Sequence, residues 1–155
     1  MKHIVYYVLG LLVVVLFMAV GEDDSGKTDE EKLVHAIMTN NINKVRYMVD
    51  GNLVGVNSII SIEYRKRPIH VAAYYSRDEI IKYLVDRGAD INAIDGASGK
   101  TALSVAIWKG YESTAILLLD LGADPKIPND VGVSPCLRAK RAGMQRVVNK
   151  IPDCV

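Results

Sequence analysis

A block of sequence recurs in this chain at an interval of 34 residues, and that recurrence limits the fold more than any other feature. The first copy reads Arg67-Pro68-Ile69-His70-Val71-Ala72-Ala73, then Ile80-Ile81-Lys82-Tyr83-Leu84-Val85, then Gly88-Ala89-Asp90-Ile91-Asn92-Ala93. The second reads Thr101-Ala102-Leu103-Ser104-Val105-Ala106-Ile107, then Ala115-Ile116-Leu117-Leu118-Leu119, then Gly122-Ala123-Asp124. Gly88 and Gly122 stand 34 residues apart. A unit this short cannot bury its own apolar face, so such units stack on one another into a solenoid. Worn copies flank the clear ones. Leu33, Ala36, Val45, Met48, Val49 and Val56-Asn57 repeat the pattern upstream, with Leu53-Val54-Gly55 where the other copies have Gly-Ala-Asp. Gly132, Ser134-Pro135, Ala139, Gly143 and Val147-Val148 repeat it downstream. Terminal units present an outer face to water, which explains their divergence. Four repeats result, over about 29–58, 62–93, 96–126 and 130–152.

This pattern resembles the ankyrin repeat, over about residues 30–150. The resemblance implies an all-α solenoid of helix–turn–helix units with projecting β-turn fingers, and a function in binding other macromolecules. Each conserved-type position then has a structural task. Pro68 and Pro135 suit a first helical turn, where a missing N–H costs nothing. Ala72, Ala73 and Ala106 allow close approach of helices. Gly88 and Gly122 end a helix in the left-handed region. Leu84, Leu117 and Leu118 are read as core residues. His70 falls on the repeat's histidine position, which implies an imidazole hydrogen-bonded within the loop rather than a catalytic one. Thr28 and Glu31 form a T-x-x-E capping box, which starts the first helix near Asp29.

Composition constrains less. The chain has 155 residues, room for one domain with a core of its own. Nineteen Lys and Arg against eighteen Asp and Glu give a net charge of +1, so bulk charge points to neither a nucleic-acid nor an anionic-membrane partner. The apolar fraction is raised by the N-terminus. There Met1-Lys2-His3 precede 17 uncharged residues, Ile4 to Val20, followed by Gly21-Glu22-Asp23-Asp24. Two readings of residues 1–21 stand. One is a signal peptide cut before Glu22, with the small residues Ala19 and Gly21 at its −3 and −1 positions. The other is an uncleaved single-span anchor, at the lower limit of length for a bilayer. A buried core helix is a distant third. Both leading readings export the repeats, to the periplasm in a Gram-negative source, either free or anchored in the inner membrane through residues 4–20. No Cys follows the apolar run, so it carries no lipoprotein signal. Residues 22–28 read as an acidic spacer and 29–152 as the repeat domain.

No constellation for chemistry emerges. The His residues are His3, His35 and His70, and no His, Cys, Asp or Glu set has metal-ligand spacing. Gly96-Ala97-Ser98-Gly99-Lys100-Thr101 ends like a P-loop but lacks its spacing. Ser104 and Ser134 have places in the repeat, and Asp78, Glu79, Asp86 and Asp90 fall on turns or exposed helix positions. The chain therefore reads as a non-enzyme without cofactor or metal.

Aligning the repeats does isolate one column: Met38, Tyr74, Trp108 and Arg141, with Tyr75 and Lys109 beside it. The resemblance places this column on the concave face of the inner helices, where partners dock. Aromatic and Arg side chains dominate interface energetics. Packing of Tyr74 on Trp108 between repeats is the competing reading. The fingers also lengthen toward the N-terminus. Lys126 to Pro135 spans nine residues, Asn92 to Ala102 ten, and Asn57 to Pro68 eleven. The longest carries Tyr64-Arg65-Lys66-Arg67, which suits an acidic partner surface or is simply solvated. In an antiparallel last repeat the second helix returns Cys154 toward Cys136, the latter in a buried apolar place, and an oxidising compartment would let the two pair. Unpaired thiols are the alternative.

Small exported bacterial ankyrin-repeat proteins resemble two kinds of agent. One is an immunity protein that blocks a toxic effector; the other assists peroxide defence beside a catalase. An immunity-type inhibitor of a single protein partner is the first expectation, and a structural envelope tether is the third.

Overall fold

The computed structural model of the protein describes residues 24–61, 65–152 and 154. The apolar N-terminal run and Tyr64 lie outside these residues. Among the described residues there are eight helices and no strand: α1 (Asp29–Met38), α2 (Ile42–Asp50), α3 (Pro68–Tyr74), α4 (Asp78–Asp86), α5 (Ala102–Lys109), α6 (Glu112–Asp120), α7 (Pro135–Arg141) and α8 (Gln145–Lys150). They form four antiparallel pairs. The first members touch in series, α1 on α3, α3 on α5, α5 on α7, and so do the second members, α2 on α4, α4 on α6, α6 on α8. The result is an all-α repeat solenoid with an inner and an outer row of helices.

Local chemistry fixes where each inner helix starts. Thr28 and Glu31 close a reciprocal capping box on α1. Thr101 accepts from the Ser104 N–H to cap α5, and Ser134 accepts from the Leu137 N–H to cap α7. Arg67 offers no capping oxygen to α3; instead its own N–H is donated to His70 Nδ1 at 3.3 Å. Pro68 and Pro135 occupy first-turn positions.

The turns are equally regular. Each inner helix ends in a left-handed residue, Asn40, Ser76, Gly110 or Gly143. The next N–H then reaches back to a small buried residue: Asn41 to Ala36, Arg77 to Ala72, Tyr111 to Ala106, Met144 to Ala139, at 2.8 to 3.0 Å. Outer helices α4 and α6 end the same way. Gly88 and Gly122 have φ of 85° and 94°, and the N–H groups of Ala89 and Ala123 return to Leu84 and Leu118. In the first repeat the left-handed residue is Asn52, φ 54°, and the buried residue is Val54. The Leu53 N–H returns to Met48 at 3.0 Å as that of Ala89 does to Leu84, so Asn52 and Leu53 take the backbone places of Gly88 and Ala89. The turn holds one extra residue before Val56, which corrects the position-by-position match of Leu53-Val54-Gly55 to Gly-Ala-Asp.

The core is continuous through all four repeats, from Leu33 and Ile37 through Ile69, Ile80, Ile81, Leu84, Leu103 and Leu118 to Val147. Ala72, Ala73 and Ala106 are fully buried between rows. Two expectations need correction. Leu117 is only partly buried, because the outer row of this short solenoid leaves one flank of α6 to solvent. Cys136 is also partly buried, although its counterparts Ile69 and Leu103 are fully buried, because among the described residues no helix packs on the side of α7 away from α5. Cys136 and Cys154 are joined in a disulfide with Cα atoms 5.6 Å apart, which ties the end of the chain to the start of α7.

Candidate partner-binding groove

The inner helices deliver one residue each to a common edge. Met38 and Tyr74 are the last residues of α1 and α3, Arg141 is the last of α7, and Trp108 is the penultimate residue of α5. Helix α5 is sandwiched between α3 and α7, so Ala102 through Ile107 are buried. Its apolar character then spills into solvent at Trp108, which is 52% exposed. The packing reading of this column describes a contact that is present. Tyr74 and Trp108 do pack on each other, with ring centroids 6.3 Å apart and planes inclined by 38°. Tyr75 meets Tyr74 edge-on at 5.1 Å. Yet the contact leaves half of the indole open.

Lysines ride on these rings. Lys109 Nζ lies 4.3 Å from the Tyr74 centroid and 5.7 Å from that of Trp108. Lys66 lies over Tyr74 at 4.9 Å and Lys100 over Trp108 at 5.5 Å. Each such contact is worth on the order of 0.5–1 kcal/mol at an exposed site. Lys109 also sits at the C-terminus of α5, where the helix dipole favours a cation. Lys66 comes from the longest finger and Lys100 from the second, so fingers and inner helices share one cationic, aromatic surface. Next to Trp108 is a shallow depression of about 210 Å³, lined by Ile107, Trp108, Val133, Arg138, Arg141 and Ala142.

The remaining finger residues part company. Arg65 is exposed, with φ 45°, and its side chain lies against Gly96 of the next finger, where a Cβ would have no room. Arg67 serves the scaffold: its Nε donates to the Asn57 carbonyl and its Nη1 to the Ile94 carbonyl, both at 3.1 Å, bracing two fingers together. Tyr64 lies outside the described residues. The fingers are further held by Asn57 and Asn92, whose side chains accept from the N–H groups of Asp90 and Asp124 in the following repeats, both at 2.8 Å. The P-loop-like segment is simply the second finger. Buried Asp95 accepts from the Ser98 N–H at 2.8 Å and organises that hairpin.

His70 is fully buried. Its Nδ1 accepts from the Arg67 N–H, while Nε2 faces the carbonyls of Ala93 at 2.9 Å and Lys100 at 3.2 Å. Burial pushes its pKa below the usual imidazole value. A neutral ring with the proton on Nε2 satisfies all three contacts, so His70 joins the start of α3 to the next finger. On the outer face, sequence reading missed a second cluster. Tyr83 donates to Asp50 at 2.7 Å, Arg87 pairs with Asp50 at 3.0 Å, and the guanidinium groups of Arg46 and Arg87 lie over the Tyr83 ring. Burial and the Asp50 hydrogen bond push the Tyr83 hydroxyl up to about 12. This cluster bolts the first repeat to the second. Asp78, read as an exposed acid, accepts from the buried Thr114 hydroxyl at 2.6 Å and joins α4 to α6. Among the described residues no three His, Cys, Asp or Glu side chains converge on a metal-sized site.

Comparison with known proteins decides the family. The family model for ankyrin repeats in three copies matches residues 5–95, and a further ankyrin repeat matches 98–130. The chain belongs to the ankyrin-repeat family. The first match opens at residue 5, within the apolar run, ahead of the Thr28 cap that starts the first described helix. Similar proteins include the NF-kappa-B inhibitor cactus of Drosophila melanogaster, 46% identical over 36% of this chain and 11% of that protein. A putative ankyrin repeat protein of fowlpox virus is 31% identical over 69% of this chain and 31% of its own length. Palmitoyltransferase Hip14 of Drosophila melanogaster is 36% identical over 43% of this chain and 10% of that protein. The chain thus spans about a tenth to a third of the length of these relatives. An ankyrin-repeat solenoid is a protein-binding module, and what it binds is set by the side chains it displays.

Proposed function

We propose that this protein is an exported inhibitor of immunity type, which blocks a toxic effector in the periplasm by occupying it with the groove around Trp108. The observation that carries the reading is that groove. The solenoid presents a half-exposed indole, two tyrosines and a set of lysines on one edge. Exposed aromatic and cationic residues of this kind are anchors for one tight partner. The cactus relative is by its name an inhibitor, which supports a stoichiometric blocking role for shared repeats. The disulfide supports the location, because such bonds persist in oxidising compartments. The apolar run from Ile4 to Val20 supports export, as a cleaved signal or as an anchor that leaves the repeats in the periplasm.

Capture from the native envelope tests this reading. A secreted hydrolase or other toxic effector, retained in equimolar amount and inactive while bound, is the expected result. Retention of a catalase instead would overturn the immunity role. A periplasm-dependent reporter fused after Val155 should be active, and deletion of residues 1–21 should silence it; activity without that segment would overturn export.

A further inference from the structure

The near-zero net charge of the chain hides a separation that the fold creates. Helices α3, α5 and α7 carry no carboxylate and bring Lys109, Arg138, Lys140 and Arg141 to the inner row. Outer helices α4 and α6 carry Asp78, Glu79, Asp86, Glu112 and Asp120 against a single cation, Lys82. Two finger lysines, Lys66 and Lys100, add to the inner side by lying over Tyr74 and Trp108. Among the described residues Lys100, Lys109, Arg138 and Arg141 make no ion pair, whereas outer-row acids do: Glu112 pairs with Arg146, and Asp120 with Lys150. The inner helices of repeats two to four therefore present cations without carboxylates of their own beside a partly apolar depression.

We infer that this surface takes an acidic segment of a protein partner, with an apolar side chain seated beside Trp108 and flanking carboxylates on Lys100, Lys109 and Arg141. The inference rests on the groove being the partner site, and it adds the chemistry of what fills it. The depression beside Trp108 is lined by the apolar Ile107, Val133 and Ala142 and by the side chains of Arg138 and Arg141. An apolar side chain next to a carboxylate matches both features. A nucleic acid fits less well. Stacking bases need open ring faces, and here ammonium groups already lie over Tyr74 and Trp108. Carboxylates meet those ammonium groups without displacing them from the rings.

Trp108 is the only tryptophan of the chain and reports directly on its own surroundings. The full chain is titrated with a short peptide of glutamates around one leucine, with the same peptide carrying glutamine for glutamate, and with a single-stranded oligonucleotide. The expected result is a saturable change in Trp108 emission with the acidic peptide alone, weakening as salt shortens the Debye length below about 10 Å. The Lys109→Gln, Arg141→Gln double variant should raise the half-saturation concentration about tenfold or more. Lys82→Gln on the outer row should leave it unchanged, and unchanged far-ultraviolet circular dichroism establishes that both variants fold. Equal binding of the glutamine peptide would overturn the acidic specificity while leaving the groove as the partner site. Equal or tighter binding of the oligonucleotide would overturn the choice of a protein segment. No response to either peptide would overturn the inference outright, and envelope capture would still decide the underlying reading independently.

Discussion

His70 shows how a single residue can link repeats. Its Nδ1 already accepts a backbone N–H, so protonation there would set two donors against each other in a fully buried place. The folded pKa is lowered from the ordinary value near 6.5. A base with a lowered folded pKa contributes stability that is present above about pH 6.5 and is lost as pH falls further, because the unfolded chain takes up the proton first. Unfolding by denaturant at a series of pH values should therefore show stability declining below that point, and His70→Gln should flatten the decline while lowering stability at neutral pH by about 1–3 kcal/mol. A wild-type profile no steeper than the variant's would mean that His70 does not carry this linkage. At the same scale lie the residues that the sequence concealed. Gly88 and Gly122 announce left-handed turns by their type, but Asn40, Asn52 and Ser76 take the same conformation without a glycine to mark it. Arg67 looked like a member of a basic patch, since nothing in a linear sequence shows that its guanidinium reaches two carbonyls of neighbouring fingers.

At the scale of elements, the helix pairs and their core faces were readable because the 34-residue period imposes one set of environments on every copy. Truncating Leu84 or Leu118 to Ala should cost about 2–5 kcal/mol, measured by chemical denaturation, since both are fully buried. A loss below about 1 kcal/mol at either site would contradict the assigned core. The end elements were less legible. Cys136 stands in a core position of the repeat, but among the described residues no helix beyond α7 covers it. There the disulfide ties Cys154 to the start of α7. It closes a loop of 18 residues, which by chain entropy contributes roughly 3 kcal/mol. Cys154→Ser, or reduction of the wild type, should lower the melting temperature measurably. Equal melting temperatures of oxidised and reduced protein would show that α8 and the chain end are held without it.

The whole molecule adds something no single element contains. Net charge of +1 points to neither a nucleic-acid nor an anionic-membrane partner, and as a bulk property it is silent about arrangement. Stacking sorts part of the charge, because inner helices α5 and α7 carry Lys and Arg without Asp or Glu while outer helices α4 and α6 carry mainly Asp and Glu. The candidate column was found by aligning repeats, since equivalent positions must line one edge of a solenoid. The lysines over its rings were not, because Lys66 and Lys100 come from fingers whose reach depends on folded geometry. The central claim is that recognition belongs to this inner edge. It is tested most directly by calorimetric affinity for the captured partner, comparing Trp108→Ala with Lys82→Ala, each checked for an unchanged melting temperature. Loss of the indole should weaken binding by about 2 kcal/mol, on the order of thirtyfold, while Lys82→Ala binds as the wild type does. Full affinity of folded Trp108→Ala together with loss of binding in Lys82→Ala would place recognition on the outer row and contradict the account.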